Sequence, residues 1–430
     1  MKNIKKKELS ELRDFLILWS TQSISQLGSN ITAFALTLWL YEKTGSSLST
    51  AALTICSYAP YVLMSIFAGA LTDQFNKKKT MLGCDVFAAI CTLIVLVLFS
   101  TNRLMLWHLY VLNAVSGLMN TVQQPASEVA MTLITPDKYY QKTSGLRSLS
   151  RSLVSVLNPL IATALYSFAG LNGVIAVDIA SFIVAFTALL FFIRIPENKS
   201  DKRESVLNLA KEGLAFLKEN PMIMTLILFM SGVNLVASAV DATLPGYVIP
   251  NPKGGSSVLG IVTSCSGIAM IIGSLIVSVL PKPKDRVKVI YQTMLFSLGT
   301  ENFLLAFSRE PVIWCIAQII GWVLVPIMSA NLDVILRTTI PVELQGRVYA
   351  CRNTLQFFTI PIGLFLGGFM VDTVCEPFMS VYGDLPVLKT LFGMGKGSGA
   401  ALMMFILALS GSLFCIITGR KLKKYQYSEK

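Results

Sequence analysis

Apolar residues in this chain run in blocks of about 20, long enough to cross a bilayer as helices, with short polar stretches between them. The two-residue alternation over ten-residue segments that marks a membrane β-barrel is not the pattern here. The blocks predict twelve helices, over residues 14–41, 48–72, 80–100, 104–131, 145–169, 172–194, 221–248, 257–280, 288–308, 311–336, 347–372 and 399–419. Residues 195–220 form the longest connection between them. There Val206, Ala210, Leu214 and Leu217 share one helical face among lysines and glutamates, which predicts an amphipathic helix lying at the inner membrane surface.

Composition supports the same reading. Of 430 residues, 53% are hydrophobic and 14% charged, against roughly 25% charged in soluble domains. The mean hydropathy is +0.64, and a water-soluble fold of this size could not hide so much apolar surface. The amino terminus, the even-numbered loops and the carboxyl terminus hold most of the 36 Lys and Arg residues. By the positive-inside rule both ends then lie in the cytoplasm. Orientation accounts for the net charge of +12, so no nucleic-acid partner is expected. The "KNIKKK" start resembles a signal-peptide n-region, but the long helix after it reads as a retained first span.

Catalytic chemistry is not indicated. The eight cysteines contain no CxxC pair, and Cys375 is the one expected on the outer side. Neither a disulfide nor a metal site is expected. The single histidine, His108, falls at an outer helix end and reads as solvated or capping. "GMGKGSG" lacks the GxxxxGK[ST] spacing of a phosphate loop. The chain is therefore expected to be no enzyme and to carry no cofactor.

The chain also repeats. "TGSSLS" before helix two echoes "GGSSVL" before helix eight. Pro136 has Glu128 eight residues before it and Arg147 eleven after; Pro341 has Asp333 and Arg352 at the same offsets. This acid–Pro–Arg frame predicts two parallel six-helix repeats, a build used by many secondary transporters. The expected domains are 1–194, a linker at 195–220, and 221–430.

Polar side chains recur along three helices. Gln22, Gln26 and Asn30 share a face of helix one; Asn113, Asn120, Gln124 and Glu128 form a stripe on helix four; Asn234, Ser238 and Asp241 share a face of helix seven. Each amide alone could equally make a helix–helix hydrogen bond. Asp241 is different: an acid within a span costs about 2.5–3.5 kcal/mol on the insertion scale. It is the candidate for proton coupling. Asp178 and Glu301, on helices six and nine, read as structural or interfacial.

"GALTDQFNKKK", residues 69–79, resembles the signature loop of the major facilitator superfamily, G-x-L-x-D-x-x-G-[RK]-x-[RK]. Gly69, Leu71, Asp73, Lys77 and Lys79 match. Asn76 stands where glycine is usual, and asparagine also tolerates a left-handed turn. The stretches "LWSTQSISQLGSNITAFALTLWLYEKTGSS", "NTVQQPASEVAMTLITP", "PVELQGRVYACRNTLQFFTIPIGLFLGG" and "LFGMGKGSGAALMM" are similar to the drug:proton antiporter branch with bacterial macrolide efflux proteins. The resemblance implies an all-α membrane protein of twelve transmembrane helices in two pseudo-symmetric bundles. It implies that helices one, four, seven and ten line a substrate cavity. It also implies that Gly69, Asp73, Lys77, Lys79, Glu128, Arg147, Asp333 and Arg352 form an inner gate, with Asp73 meeting Arg352 and Glu128 meeting Lys77. Lys282 falls where a second copy of Asp73 would be, so Arg147 has no obvious symmetric partner, and Asp285 is a candidate substitute.

The expected function is export of amphipathic small molecules, such as drugs and macrolide-like antibiotics, by proton antiport. The expected setting is the inner cell membrane, as a monomer partnered by lipid, substrate and protons. A facilitator or importer of a small metabolite shares the same fold and is the alternative.

Overall fold

The computed structural model describes residues 11–74, 76–196 and 206–425, with the side chains of 65–74, 206–210, 342 and 343 outside that description. Every regular element among the described residues is helical. In chain order the first are α1 (Arg13–Thr44), α2 (Ser47–Gln74), α3 (Lys77–Ser100), α4 (Leu106–Leu133), α5 (Tyr140–Thr187) and α6 (Val206–Glu219). Then follow α7 (Pro221–Val248), α8 (Ser256–Val279), α9 (Arg286–Phe307), α10 (Pro311–Val323) and α11 (Val325–Thr339). The last are α12 (Val342–Phe357), α13 (Thr359–Phe369), α14 (Glu376–Tyr382), α15 (Pro386–Phe392) and α16 (Ser398–Leu422).

Ten of the twelve expected ranges fall on one of these helices or on an arm of one, and the tenth and eleventh are each divided between two. Helices five and six are the two arms of α5, whose 48 residues would measure about 72 Å if straight, more than twice the hydrocarbon core. Gly170 breaks it at φ 62°, ψ −170°, a conformation open to glycine and strained for other residues. Expected helix ten is split at Leu324 into α10 and α11, where Pro326 lacks the amide hydrogen a continuous helix needs. Expected helix eleven is α12 and α13, followed by a wide helical turn over Met370–Cys375.

Among the described residues, eight segments are long and apolar enough to cross a membrane, and one of them, Asp137–Phe192, has 56 residues, enough for two crossings. On α3, Phe87, Ile90, Ile94 and Val97 form an exposed apolar stripe, while Met81, Cys84, Asp85, Cys91 and Val95 are buried. That is the inverse of a soluble helix and fits a lipid-facing surface. The long helices α1 and α4 are more polar, because their polar faces line a cavity inside the fold.

The chain sorts into two compact units: Met1–Leu36 with Cys56–Val206, and Thr37–Ile55 with Leu207–Lys430. One division falls at 206, and the placement of 37–55 does not follow chain order. Its cause lies at the start of α2. The Asp372 carboxylate accepts hydrogen bonds from Ser46 Oγ (2.6 Å), Ser47 N (3.0 Å) and Leu48 N (2.9 Å). These are amides that a helix start leaves unpaired. Ala51 then packs with Ala242 and Leu364. In the other unit, Phe15, Leu18, Met81, Ala126, Ala130 and Leu189 form a core that binds α1, α3, α4 and the end of α5.

The amphipathic α6 docks on protein rather than only on a membrane surface. A Cβ at Gly213 would meet the backbone of Arg347, Glu212 pairs with Arg347, and Leu217 is fully buried. Leu214, on the expected apolar face, is 37% exposed.

Candidate functional site

A cavity of about 370 Å³ opens within the first unit, the size of a small-molecule site. Five of the eight expected cavity residues line it: Gln22, Gln26 and Asn30 from α1, and Asn120 and Gln124 from α4. Their four-residue spacing puts them on one face of each helix. Asn113 does not join them; its amide donates to Leu109 O, 2.9 Å away on its own helix.

Two acids in the cavity wall change its chemistry. Asp85 of α3 accepts from Gln22 Nε2 at 3.5 Å and from Gln123 Nε2. Asp178 of α5 accepts from Ser29 Oγ at 3.0 Å and Thr92 Oγ1 at 3.5 Å. Sequence reasoning passed over Asp85 and made Asp178 peripheral. A lone acid inside the apolar run of α3 was the available signal. Asp178 is buried, and it faces inward.

At another part of the wall, Glu128 binds two arginines of α5, Arg147 at 3.2 Å and Arg151 at 3.0 Å. Glu128 and the two arginines thus form a trio inside the first unit. In the second unit Asp285 caps α9, accepting from Lys288 N at 3.0 Å. In the second unit the matching frame places Arg352 in the electrostatic field of Asp333, with Arg352 Nε donating to Gln356 Oε1 at 3.0 Å. Both copies of the frame therefore bring acid and arginine together inside one unit, because the Pro that separates them turns the chain back on itself.

The signature loop splits into separate roles. Gly69 and Asp73 lie in the helical backbone of α2, and their side chains fall outside the described residues. Asn76 does not take a left-handed turn: at φ −62°, ψ 117° it is the N-cap of α3, and its side chain accepts from Lys79 N. Lys77 is buried and Lys79 exposed. Lys78 Nζ donates to Leu190 O at 3.0 Å and Ile193 O at 2.8 Å, completing carbonyls at a helix end as a C-terminal lysine does.

Helix α7 treats its polar stripe differently. Asn234 Nδ2 donates to Gln356 O at 3.0 Å, and Ser238 Oγ to Asn234 O at 2.7 Å. Gly363 and Gly367 of α13 sit so close to α7 that a Cβ on either would overlap its backbone carbonyls. This glycine pair, four residues apart, is the small-residue contact of membrane helices. Asp241 stands beyond the contact, exposed, with the buried Glu301 within its electrostatic reach. It lies seven residues before the helix end at Val248, about 10 Å, rather than at the centre.

Comparison with known proteins accords with this architecture. Residues 18–364 match the model of the Major Facilitator Superfamily. The chain belongs to the Major Facilitator Superfamily. Members of this superfamily are membrane transporters, not enzymes, and the chain is a multi-pass transporter of small molecules. It is 24% identical to macrolide efflux protein A of Streptococcus pyogenes over 367 residues, 84% of this chain and 90% of that one. It is 24% identical to the multidrug efflux pump Tap of Mycolicibacterium fortuitum over 358 residues, 80% and 86% of the two chains. In fold it is similar to the crystal structure of the nucleoside transporter NupG, with a TM-score of 0.70, 11% identity, and 96% and 99% of the chains covered.

Proposed function

We propose that the protein is a secondary active exporter of amphipathic small molecules, including drugs and macrolide-like antibiotics, driven by proton antiport. It works as a monomer in the inner cell membrane with both termini in the cytoplasm. The observation that carries the reading is the similarity to macrolide and multidrug efflux proteins along 84% and 80% of the chain. The amide-lined cavity supports it, because neutral polar groups offer adaptable hydrogen bonds to varied ligands.

Export against a gradient needs coupling. A membrane potential supplies about 2.3 kcal/mol per charge per 100 mV. An acid that meets water in turn on each side of the membrane can take a proton in one state and release it in the other. Asp241 is the proposed coupling acid in the second unit, and alternating access would carry it between the two sides.

The test is a susceptibility screen of a pump-deficient bacterium that expresses the chain, beside its Asp241→Asn version. Resistance from the wild-type chain and its loss in the variant are expected. Equal resistance from both removes the Asp241 assignment. In inverted vesicles, uptake that equilibrates without any imposed proton gradient would replace export with the facilitator reading, which the fold-level likeness to a nucleoside transporter keeps open.

A further inference from the structure

The cavity of the first unit holds charge that the amide lining alone does not need. Asp85 and Asp178 are only 7% and 5% exposed, and both line the cavity. A buried carboxylate is costly unless it is paired or neutralised. The other charged groups in the wall are Glu128, Arg147 and Arg151, and both arginines are paired with Glu128. Three acids therefore face two bases, and the uncompensated charge rests on the aspartates.

Among the described residues, the side chains that hold them are neutral. Around Asp85 they are Gln22 of α1, Gln123 of α4 and the thiol of its neighbour Cys84. Around Asp178 they are Ser29 and Thr32 of α1 and Thr92 of α3. An acid held by arginine stays ionised. An acid held by amides and hydroxyls keeps partners in both states, because Gln can turn its carbonyl oxygen, and Ser or Thr its lone pairs, toward a carboxylic O–H. Thr92, which binds Asp178, stands seven residues beyond Asp85 on α3, about 10 Å away. The two acids are thus held about two helical turns apart along α3 and mark two depths of one cavity. At its other limit Arg151 is 65% exposed and Glu128 47%, so the wall reaches solvent there.

We propose that Asp85 and Asp178 form a proton site of their own inside the first unit, separate from Asp241. Each carboxylate takes one proton from water entering the cavity and returns it to water, and no other reactant is needed. That these protons couple to transport rests on the exporter reading above; that the two acids bind them does not.

The experiment is an infrared titration of the purified full chain, following the absorbance of protonated buried carboxyl groups as pH rises. Asp85→Asn and Asp178→Asn should each remove part of that band, and the double variant should remove both parts. Asp241→Asn should leave those parts in place. Asp85→Glu and Asp178→Glu should shift the band without abolishing it, which separates a lost acid from a misfolded protein. A double variant with the wild-type band, or a band that only Asp241→Asn removes, overturns the proposal. Sodium chloride added at constant pH should change nothing; loss of the band on sodium addition would assign the site to sodium and overturn the proton. A protein that shows both bands but confers no resistance sinks the exporter reading alone. A resistant strain whose protein lacks them sinks this inference alone.

Discussion

Helices α1 and α7 carry polar side chains at the same four-residue spacing, yet one face lines a cavity and the other is closed. In the first unit Gln22, Gln26 and Asn30 face open space together with Asn120 and Gln124. In the second, Asn234 and Ser238 are absorbed by hydrogen bonds within a tight seam against α13. The glycines at 363 and 367 make the difference, because they let α13 approach until there is no room for a cavity. A polar stripe thus establishes which residues share a face. The side chains opposite decide whether that face binds a ligand or a neighbour.

The strongest way to break this comparison is to force the seam open. Gly363→Leu would drive a side chain into Leu235 O and Ser238 Oγ. Backbone cannot yield as a flexible side chain can, so destabilisation of about 3 kcal/mol, the upper end for overpacking, is expected. The melting temperature of the purified protein should fall sharply. If it stays at the wild-type value, the seam is not closed as described.

Next in size is Asp372→Ala, which strips the cap from the start of α2 and should lower stability by about 0.5–2 kcal/mol. The same thermal melt reads it, and Asp372→Asn should recover part of the loss. Asn234→Leu then tests the closed stripe. It removes one hydrogen bond, worth about 0.5–1.5 kcal/mol, and should reduce stability more than it changes transport rate in vesicles. Gln26→Leu, in the open stripe, should do the opposite: little change in melting and a clear loss of transport. A swapped pattern between these two variants would mean that the cavity is not the working surface.

The smallest expected effect separates the two acid–Pro–Arg frames. Arg147→Met leaves Glu128 with Arg151 as a second partner. For half-exposed groups the change should be within about 0–1 kcal/mol and shrink further in salt. Arg352→Met removes a largely buried arginine on which Asp333 acts, so its effect on melting should be the larger of the pair.

The internal repeat was legible because an acid, a proline and an arginine at fixed offsets survive as sequence. Their partners were not. Glu128 meets Arg151 as well as Arg147 only because the first turns of α5 fold back beside α4. Asn76 matches the position of a turn glycine, yet it caps a helix, since its side chain can reach Lys79 N once α3 begins. Asp85 went unremarked because one acid near the start of an apolar helix looks like an interface residue until Gln22 and Gln123, far away in the chain, are seen to hold it.

The sequence by itself determined the helical class, the membrane setting and the superfamily, because apolar block length and local signature residues depend only on neighbours along the chain. Tertiary structure alone decided which polar faces stay open, which acids are held by amides and hydroxyls, and why residues 37–55 belong with the second unit. Those outcomes depend on how closely distant helices approach, and glycines, buried amides and one capping carboxylate set that distance.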